Sequence, residues 1–335
     1  MHVLTGFLGS GKTTLLNRAL RTPRFADAAV LINELGEIAI DHLLVRETRE
    51  QLVVLASGCV CCTLRTDLVE QLTTLLDQRM RRELPAFSRL VLETTGLADP
   101  APIVQTLVAH PALRDRVYLD GILCTVDAEL GVRTLEAQPT ARKQVAVADR
   151  LLVTKRDRVD ASLLVLLEQR LAALNPGAQR LFASHADAGA LLAGAGHLDP
   201  RDILVRDFVP TSRAPAIRGP GALPAIAGDA EHLSGVSQVS VTLPHPIDFR
   251  SFSLWVSFFT QVWAERVLRL KAVISAQGEP HPIAIQAVQH VVYPPLDLPP
   301  LPELAGKSHV VLLIQDLTPQ ERDQVTQSLL ALATP

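Results

Sequence analysis

Eight residues near the start of the chain, Gly6-Phe7-Leu8-Gly9-Ser10-Gly11-Lys12-Thr13, constrain the fold more than any other segment. They satisfy G-x4-G-K-[ST], with an apolar run before them and a helical run over 14–20 after them. This context requires a buried strand, a glycine turn and a helix N-terminus in immediate succession. Gly6, Gly9 and Gly11 let backbone N–H groups turn inward around phosphate oxygens, and the first helical turn adds partial positive charge. Lys12 is placed to reach the β/γ-phosphates and Thr13 to hold Mg²⁺, with Ser10 and Thr14 in the same cradle. A turn that merely joined a strand to a helix would need neither the lysine nor the hydroxyl at these two places.

From residue 1 to about 200, short apolar runs alternate with longer helical patterns, the mark of a parallel sheet covered by helices. Strands are predicted at 1–5, 28–33, 52–56, 89–92, 121–126 and 150–153, each nearly continuous in apolar residues, as strands buried on both faces must be. Between them, 63–80 reads as a helix with Leu64, Leu68, Leu72, Leu75, Leu76 and Met80 on one face. The expected class is therefore α/β, a P-loop NTPase with a mainly parallel sheet over 1–200. Residues 201–234 carry Pro210, Pro215, Pro220 and Pro224 without sustained periodicity and read as a linker. From 235 to 335 a smaller α+β domain is expected. Val239, Val241 and Leu243 alternate with polar residues, Asp248 opens an amphipathic helix reaching Trp263, and strands follow at 267–276, 282–288 and 309–314. Thr318-Pro319-Gln320-Glu321 is a capping box that starts a last helix.

A chain of 335 residues with 48% hydrophobic and 20% charged residues can bury two cores of unequal size. Its net charge of −3 supplies no broad basic surface, so nucleic acid is not an expected partner. No apolar stretch approaches the roughly 20 residues needed to span a bilayer. Met1-His2-Val3-Leu4 runs directly into the glycine loop without a signal-like segment, so the expected location is the cytoplasm, with no membrane association. Composition leaves homo-oligomerisation open.

A P-loop enzyme needs an acidic residue at the end of a neighbouring strand to hold the Mg²⁺ shell, and Leu90-Val91-Leu92-Glu93-Thr94-Thr95-Gly96 offers Glu93. Gly96 can bring its amide to a γ-phosphate and so report hydrolysis. Leu97 stands where a water-positioning glutamine would follow, so unaided turnover should be slow. Thr154-Lys155-Arg156-Asp157 keeps most of the N-K-x-D guanine pattern. The Asp157 carboxylate can accept from guanine N1–H and N2–H₂ donors that adenine lacks, and the Lys155 stem can pack on the base plane. GTP is thus favoured over ATP, although such a charge run taken alone is as readily a solvated turn.

Gly58-Cys59-Val60-Cys61-Cys62-Thr63 packs three thiols ahead of a predicted helix, whose positive end lowers thiol pKa values. Three sulfurs can occupy three positions around a tetrahedral Zn²⁺ and leave the fourth open, which suits transfer or sensing. A redox dithiol and inert buried thiols are the competing readings, the former weakened by the strain of a disulfide between adjacent Cys61 and Cys62. In Asn33-Glu34-Leu35-Gly36-Glu37, Glu37 can complete the metal shell, or the segment is a turn with solvated acids. Cys124, in an apolar run, is expected in the core.

Together these motifs resemble the CobW-type metallochaperone GTPases, relatives of UreG and HypB. The likeness rests on Thr5 through Thr14, on Asn33 through Glu37, on Gly58-Cys59-Val60-Cys61-Cys62, on Glu93-Thr94-Thr95-Gly96-Leu97-Ala98-Asp99-Pro100 and on Thr154 through Asp157. It continues in Leu270-Lys271 and Gln286-Ala287-Val288-Gln289-His290, so it covers nearly the whole chain. The resemblance implies GTP hydrolysis coupled to binding and delivery of a metal to a client metalloprotein. The metal is often zinc and in some members cobalt, held by the C-x-C-C cysteines. Many members carry a histidine-rich stretch before the C-terminal domain, whereas here His232 is the lone histidine in 228–235. Three other readings remain: a nucleotide-switched zinc-binding regulator without significant turnover, cobalt delivery in cobalamin synthesis, and an ATP-dependent small-molecule kinase with a structural zinc.

Overall fold

Five buried residues, His2–Gly6, form β1, which lies at the centre of a seven-stranded sheet. The other strands are β2 Ala28–Asn33, β3 Val54–Ala56, β4 Arg89–Thr94, β5 Gly121–Asp127, β6 Arg150–Thr154 and β7 Gln179–Phe182. Their order is β3-β2-β4-β1-β5-β6-β7, and every pair is parallel. The computed structural model describes residues 1–25, 27–33, 54–56, 64–182, 188–193, 236–264 and 266–333. The chain divides into two units, Met1–Leu198 and Asp199–Pro335.

Helices α1 Lys12–Leu20, α2 Leu64–Met80, α3 Pro100–Ala109, α4 Gly131–Ala137, α5 Pro139–Val147, α6 Ala161–Leu174 and α7 Ala188–Ala193 accompany this sheet. Leu15, Leu16 and Ala19 of α1 pack with Leu4, Val30, Val91, Leu123 and Leu152 from five strands, joined by Ala188 and Leu192 of α7. Alternate strand residues Val3, Leu92 and Ile122 are equally buried, so the sheet is covered on both faces, with α5 against β1 and β5. Parallel strands buried this way read as continuous apolar runs, which is why their positions were visible in the sequence. The half-buried β7 carried no such run. On α2, Leu68, Leu72, Leu75 and Leu76 are buried as expected, but Met80 is 72% exposed. It ends the helix, the chain turns away through Arg82 at φ 61°, and no later helical turn shields it.

The C-terminal unit is built from β8 Val236–Leu243, β9 Val267–Ile274, β10 Ile283–Val288, β11 Val291–Val292, β12 Leu296–Asp297 and β13 Ser308–Gln315. They form an antiparallel sheet ordered β11-β10-β9-β13-β8, with β12 also on β10. Helices α8 Phe249–Val262 and α9 Pro319–Leu330 supply Phe252, Val256, Phe259, Val325 and Leu329 to its core. Asp248 caps α8 by accepting from Ser251 N at 2.8 Å, and Thr318 and Glu321 close the capping box of α9. Among the described residues no helix is long and apolar enough to cross a membrane.

Candidate nucleotide site

The phosphate loop takes its shape from glycines at positive φ, a backbone conformation that other residues rarely adopt. Gly6 has φ 140°, and a Cβ there would lie 2.4 Å from the Thr125 carbonyl oxygen, because β1 and β5 run side by side with Gly6 opposite Thr125. Gly11, at φ 93°, is the N-cap of α1 and makes no side-chain cap, and the first turn of α1 contains no acidic residue. The N–H groups of that turn are therefore left for an anionic ligand rather than capped from within. Ser10 N donates to Phe7 O at 3.1 Å, and the Ser10 hydroxyl pairs with Thr125 Oγ1 at 2.7 Å. Lys12, only 8% exposed, donates through Nζ to the carbonyls of Gly6 at 3.0 Å and Phe7 at 3.4 Å. Gly9 and Thr14 lie at the exposed rim.

β4 runs beside β1 with Glu93 opposite Leu4, which carries the carboxylate to the start of α1. Thr13 Oγ1 donates to Glu93 Oε1 at 2.6 Å. A hydroxyl and a carboxylate in contact beside a phosphate loop are hard oxygen donors of the kind Mg²⁺ takes, so the residues present fit that ion. Beyond β4, Gly96 is buried against the loop, where a Cβ would stand 2.6 Å from Leu8 N. Asp99 then caps α3 through Ala101 N at 3.0 Å, with Pro100 at the first helical position.

On the other side, β6 ends in Thr154, whose hydroxyl donates to Ser10 O at 2.8 Å and lies 3.3 Å from Val126 O. Lys155 follows at φ 53°, and exposed Asp157 sits in the 3-10 turn Arg156–Arg158. Lys155 Nζ is ion-paired with Asp127 Oδ2 at 2.6 Å. The other oxygen of Asp127 accepts from Glu129 N at 2.8 Å. Sequence reasoning missed Asp127, although it ends β5 as Glu93 stands near the end of β4, a carboxylate closing an apolar run.

The structure thus gathers Gly6, Gly9, Ser10, Gly11, Lys12, Thr13, Thr14, Glu93 and Gly96 around one loop, with Thr154 joined to it by hydrogen bonding. Glu37, Cys59, Cys61 and Cys62 lie outside the described residues. Among the described residues no cluster of His, Cys, Asp and Glu could hold a metal ion. Cys124 is buried in β5, where loss of solvent pushes its thiol up to about 12, so it stays protonated as a core residue.

A glycine loop between the central strand and its helix, a lysine and a threonine at its end, and an acid on the adjacent strand define a P-loop nucleotide-binding protein. The chain belongs to the CobW/HypB/UreG family: residues 1–182 match its nucleotide-binding domain, and residues 236–333 match the cobalamin synthesis protein cobW C-terminal domain. It is 33% identical over 299 residues to the zinc chaperone YjiA of Escherichia coli, covering 89% of this chain and 88% of that protein. It is also 33% identical over 180 residues to the zinc-regulated GTPase metalloprotein activator 1 of Schizosaccharomyces pombe, covering 52% of this chain and 43% of that relative. The crystal structure of Zn(II)-bound YjiA GTPase from E. coli superposes with a TM-score of 0.73 at 26% identity, over 99% of this chain and 98% of that one.

Proposed function

We propose that the protein is a GTP-hydrolysing metallochaperone that couples its nucleotide cycle to binding and delivery of zinc. The carrying observation is the 2.6 Å contact between Thr13 and Glu93, which pairs the phosphate loop with its acidic partner in a chain similar over most of its length to a zinc chaperone. In this reading Gly6, Gly9, Ser10, Gly11 and Thr14 bind the phosphates through backbone and hydroxyl donors. Lys12 stabilises charge on the transferring phosphate. Thr13 and Glu93 hold the Mg²⁺, which when bound neutralises charge on the phosphate oxygens. Gly96 meets the γ-phosphate, and Thr154, Lys155 and Asp157 read guanine, with Asp127 holding Lys155 in place.

The cargo is taken by Cys59, Cys61 and Cys62 with Glu37, on the chemistry of thiolate and carboxylate donors. Thiols of this kind stay reduced in the cytoplasm, which is the proposed compartment. Zinc is the preferred cargo because of the relatives, with cobalt as an alternative for this same soft set. The partners are GTP and GDP, the metal, and a client metalloprotein that accepts it; self-association fits the same reading.

The test measures GTP and ATP hydrolysis with and without Zn²⁺ or Co²⁺ on the full chain, beside Lys12→Ala, and then titrates Zn²⁺ into GDP-loaded and GTP-analogue-loaded protein with Cys61→Ala as control. GTP turnover lost by at least a hundredfold in Lys12→Ala, together with a metal affinity that differs between the two loaded states, is the expected result. Retained turnover in Lys12→Ala sinks the phosphate-loop role. Identical metal affinities leave a GTPase with an uncoupled metal site, and nucleotide binding without turnover favours a zinc-binding switch.

A further inference from the structure

Gln144, on α5, is fully buried, and the GTPase reading so far gives it no task. Its Nε2 donates to two carbonyls of the segment after β4, Gly96 O at 3.1 Å and Ala98 O at 2.9 Å. Its Oε1 is buried and makes no hydrogen bond among the described residues. A buried amide with one satisfied end would be costly as core filling, where an apolar side chain of the same size does better, so the two donated bonds are what the residue is for.

The helix that carries Gln144 is itself anchored. Buried Asn175 donates through Nδ2 to the carbonyls of Val145 at 2.8 Å, Ala146 at 3.0 Å and Ala148 at 2.9 Å, closing the C-terminal end of α5. One residue before Gln144, Lys143 reaches Asp99 Oδ2 at 3.5 Å, at the far end of the same segment. The segment also meets the phosphate loop, where Gly96 leaves no space for a Cβ beside Leu8. The segment from Gly96 to Asp99 thus touches Leu8 at one end and is bonded by two side chains of one pinned helix. Peptide planarity adds a direction: a Gly96 carbonyl turned toward α5 points the Leu97 N–H away from it. Gln144 also lines a cavity of about 30 Å³ with Leu8, Ser10 and Asp127, so its side chain borders the phosphate loop as well as the segment.

We infer that Gln144 is a positioning residue for the γ-phosphate-sensing segment, and that the preference for a nucleoside triphosphate over a diphosphate depends on its amide. The inference rests on the GTPase reading. A diphosphate has no group to meet Gly96, so holding the segment in place contributes nothing to its affinity. A triphosphate must find the segment in place or order it on binding, which lowers affinity.

The experiment uses the full chain and compares Gln144→Met with the unmutated protein. It records affinity for fluorescent GDP and for a fluorescent non-hydrolysable GTP analogue, and kcat and KM for GTP. Methionine keeps the volume and removes both donors together with the unpaired acceptor. GDP affinity within twofold, analogue affinity lower by about tenfold, and a fall in kcat are expected. A residue that served only the core would weaken both nucleotides alike or neither, and either result overturns the inference. Lys143→Ala, at a partly exposed site, carries the test if Gln144→Met does not fold: it should lower the GTP-to-GDP affinity ratio by about twofold to threefold, and an unchanged ratio counts against the inference. Unmutated protein that binds neither nucleotide sinks the GTPase reading and this inference with it. Unmutated protein that hydrolyses GTP while the variant ratio stays unchanged removes the inference alone.

Discussion

The Thr154 hydroxyl donates to the Ser10 carbonyl at 2.8 Å, so the end of β6 is tied to a phosphate loop 144 residues earlier in the chain. General guanine-binding motifs place asparagine here. A threonine performs the tether because β6 and β5 run in parallel register up to Thr154 and Asp127, which brings its short side chain to the back of the loop.

Thr154→Val keeps the shape and deletes the donor, leaving the buried Ser10 carbonyl short of a partner. We expect GTP and GDP affinity to fall together by about 5- to 30-fold, since the loop that weakens binds phosphates common to both. Thr154→Asn should retain most of the affinity. Fluorescent nucleotide titration of both variants checks this, and a loss confined to GTP would contradict it.

Asp157 is exposed in the turn after Lys155, so its removal leaves the core untouched. Asp157→Ala should reduce GTP affinity by about 10- to 100-fold, the range for hydrogen bonds to a charged acceptor, with ATP affinity unchanged. Competition binding with both nucleotides measures the ratio. Equal affinities for GTP and ATP in the unmutated protein would defeat the guanine assignment outright.

How much of this was legible beforehand depended on burial. β5, Gly121–Asp127, is buried at every position and reads as one apolar run, and the phosphate loop announces itself because its chemistry needs Lys12 and Thr13 at fixed places. Strand β7 is half-buried along its length and has no pattern to find. Asp127 and Gln144 were invisible for a different reason. Their partners, Lys155 and the Gly96 carbonyl, stand 28 and 48 residues away, and no local periodicity encodes a pairing set by strand order. The Asp99 cap with Pro100 behind it was a local signal for α3, available but unread.

In the C-terminal unit, Arg266 grips Glu321 with two bonds of 2.8 and 3.0 Å, and the Thr318 N–H and hydroxyl add donors at 2.9 Å. These hold the carboxyl at about 2 against an ordinary 4.5, the arginine contributing most. A folded-state pKa below the unfolded one gives stability that is present above pH 4.5 and lost as pH falls through 2. Both tryptophans of the sequence, Trp255 and Trp263, belong to this unit, so their fluorescence reports on it. Urea midpoints should drop between pH 5 and pH 2.5, and Glu321→Gln should flatten part of that drop. A variant whose midpoint falls as steeply as that of the unmutated protein would show that the pair contributes nothing.

The place of β1 at the middle of the sheet also governs the order in which the protein can assemble. Its two neighbours are β4 and β5, both later in the chain, so β1 waits for partners that end at Thr94 and Asp127. At roughly 5–20 residues per second, the interval to the end of β5 is about 6–25 s on the ribosome. Through that time the phosphate loop has no Thr125 to close against, so the closed loop forms only after the central strands have met.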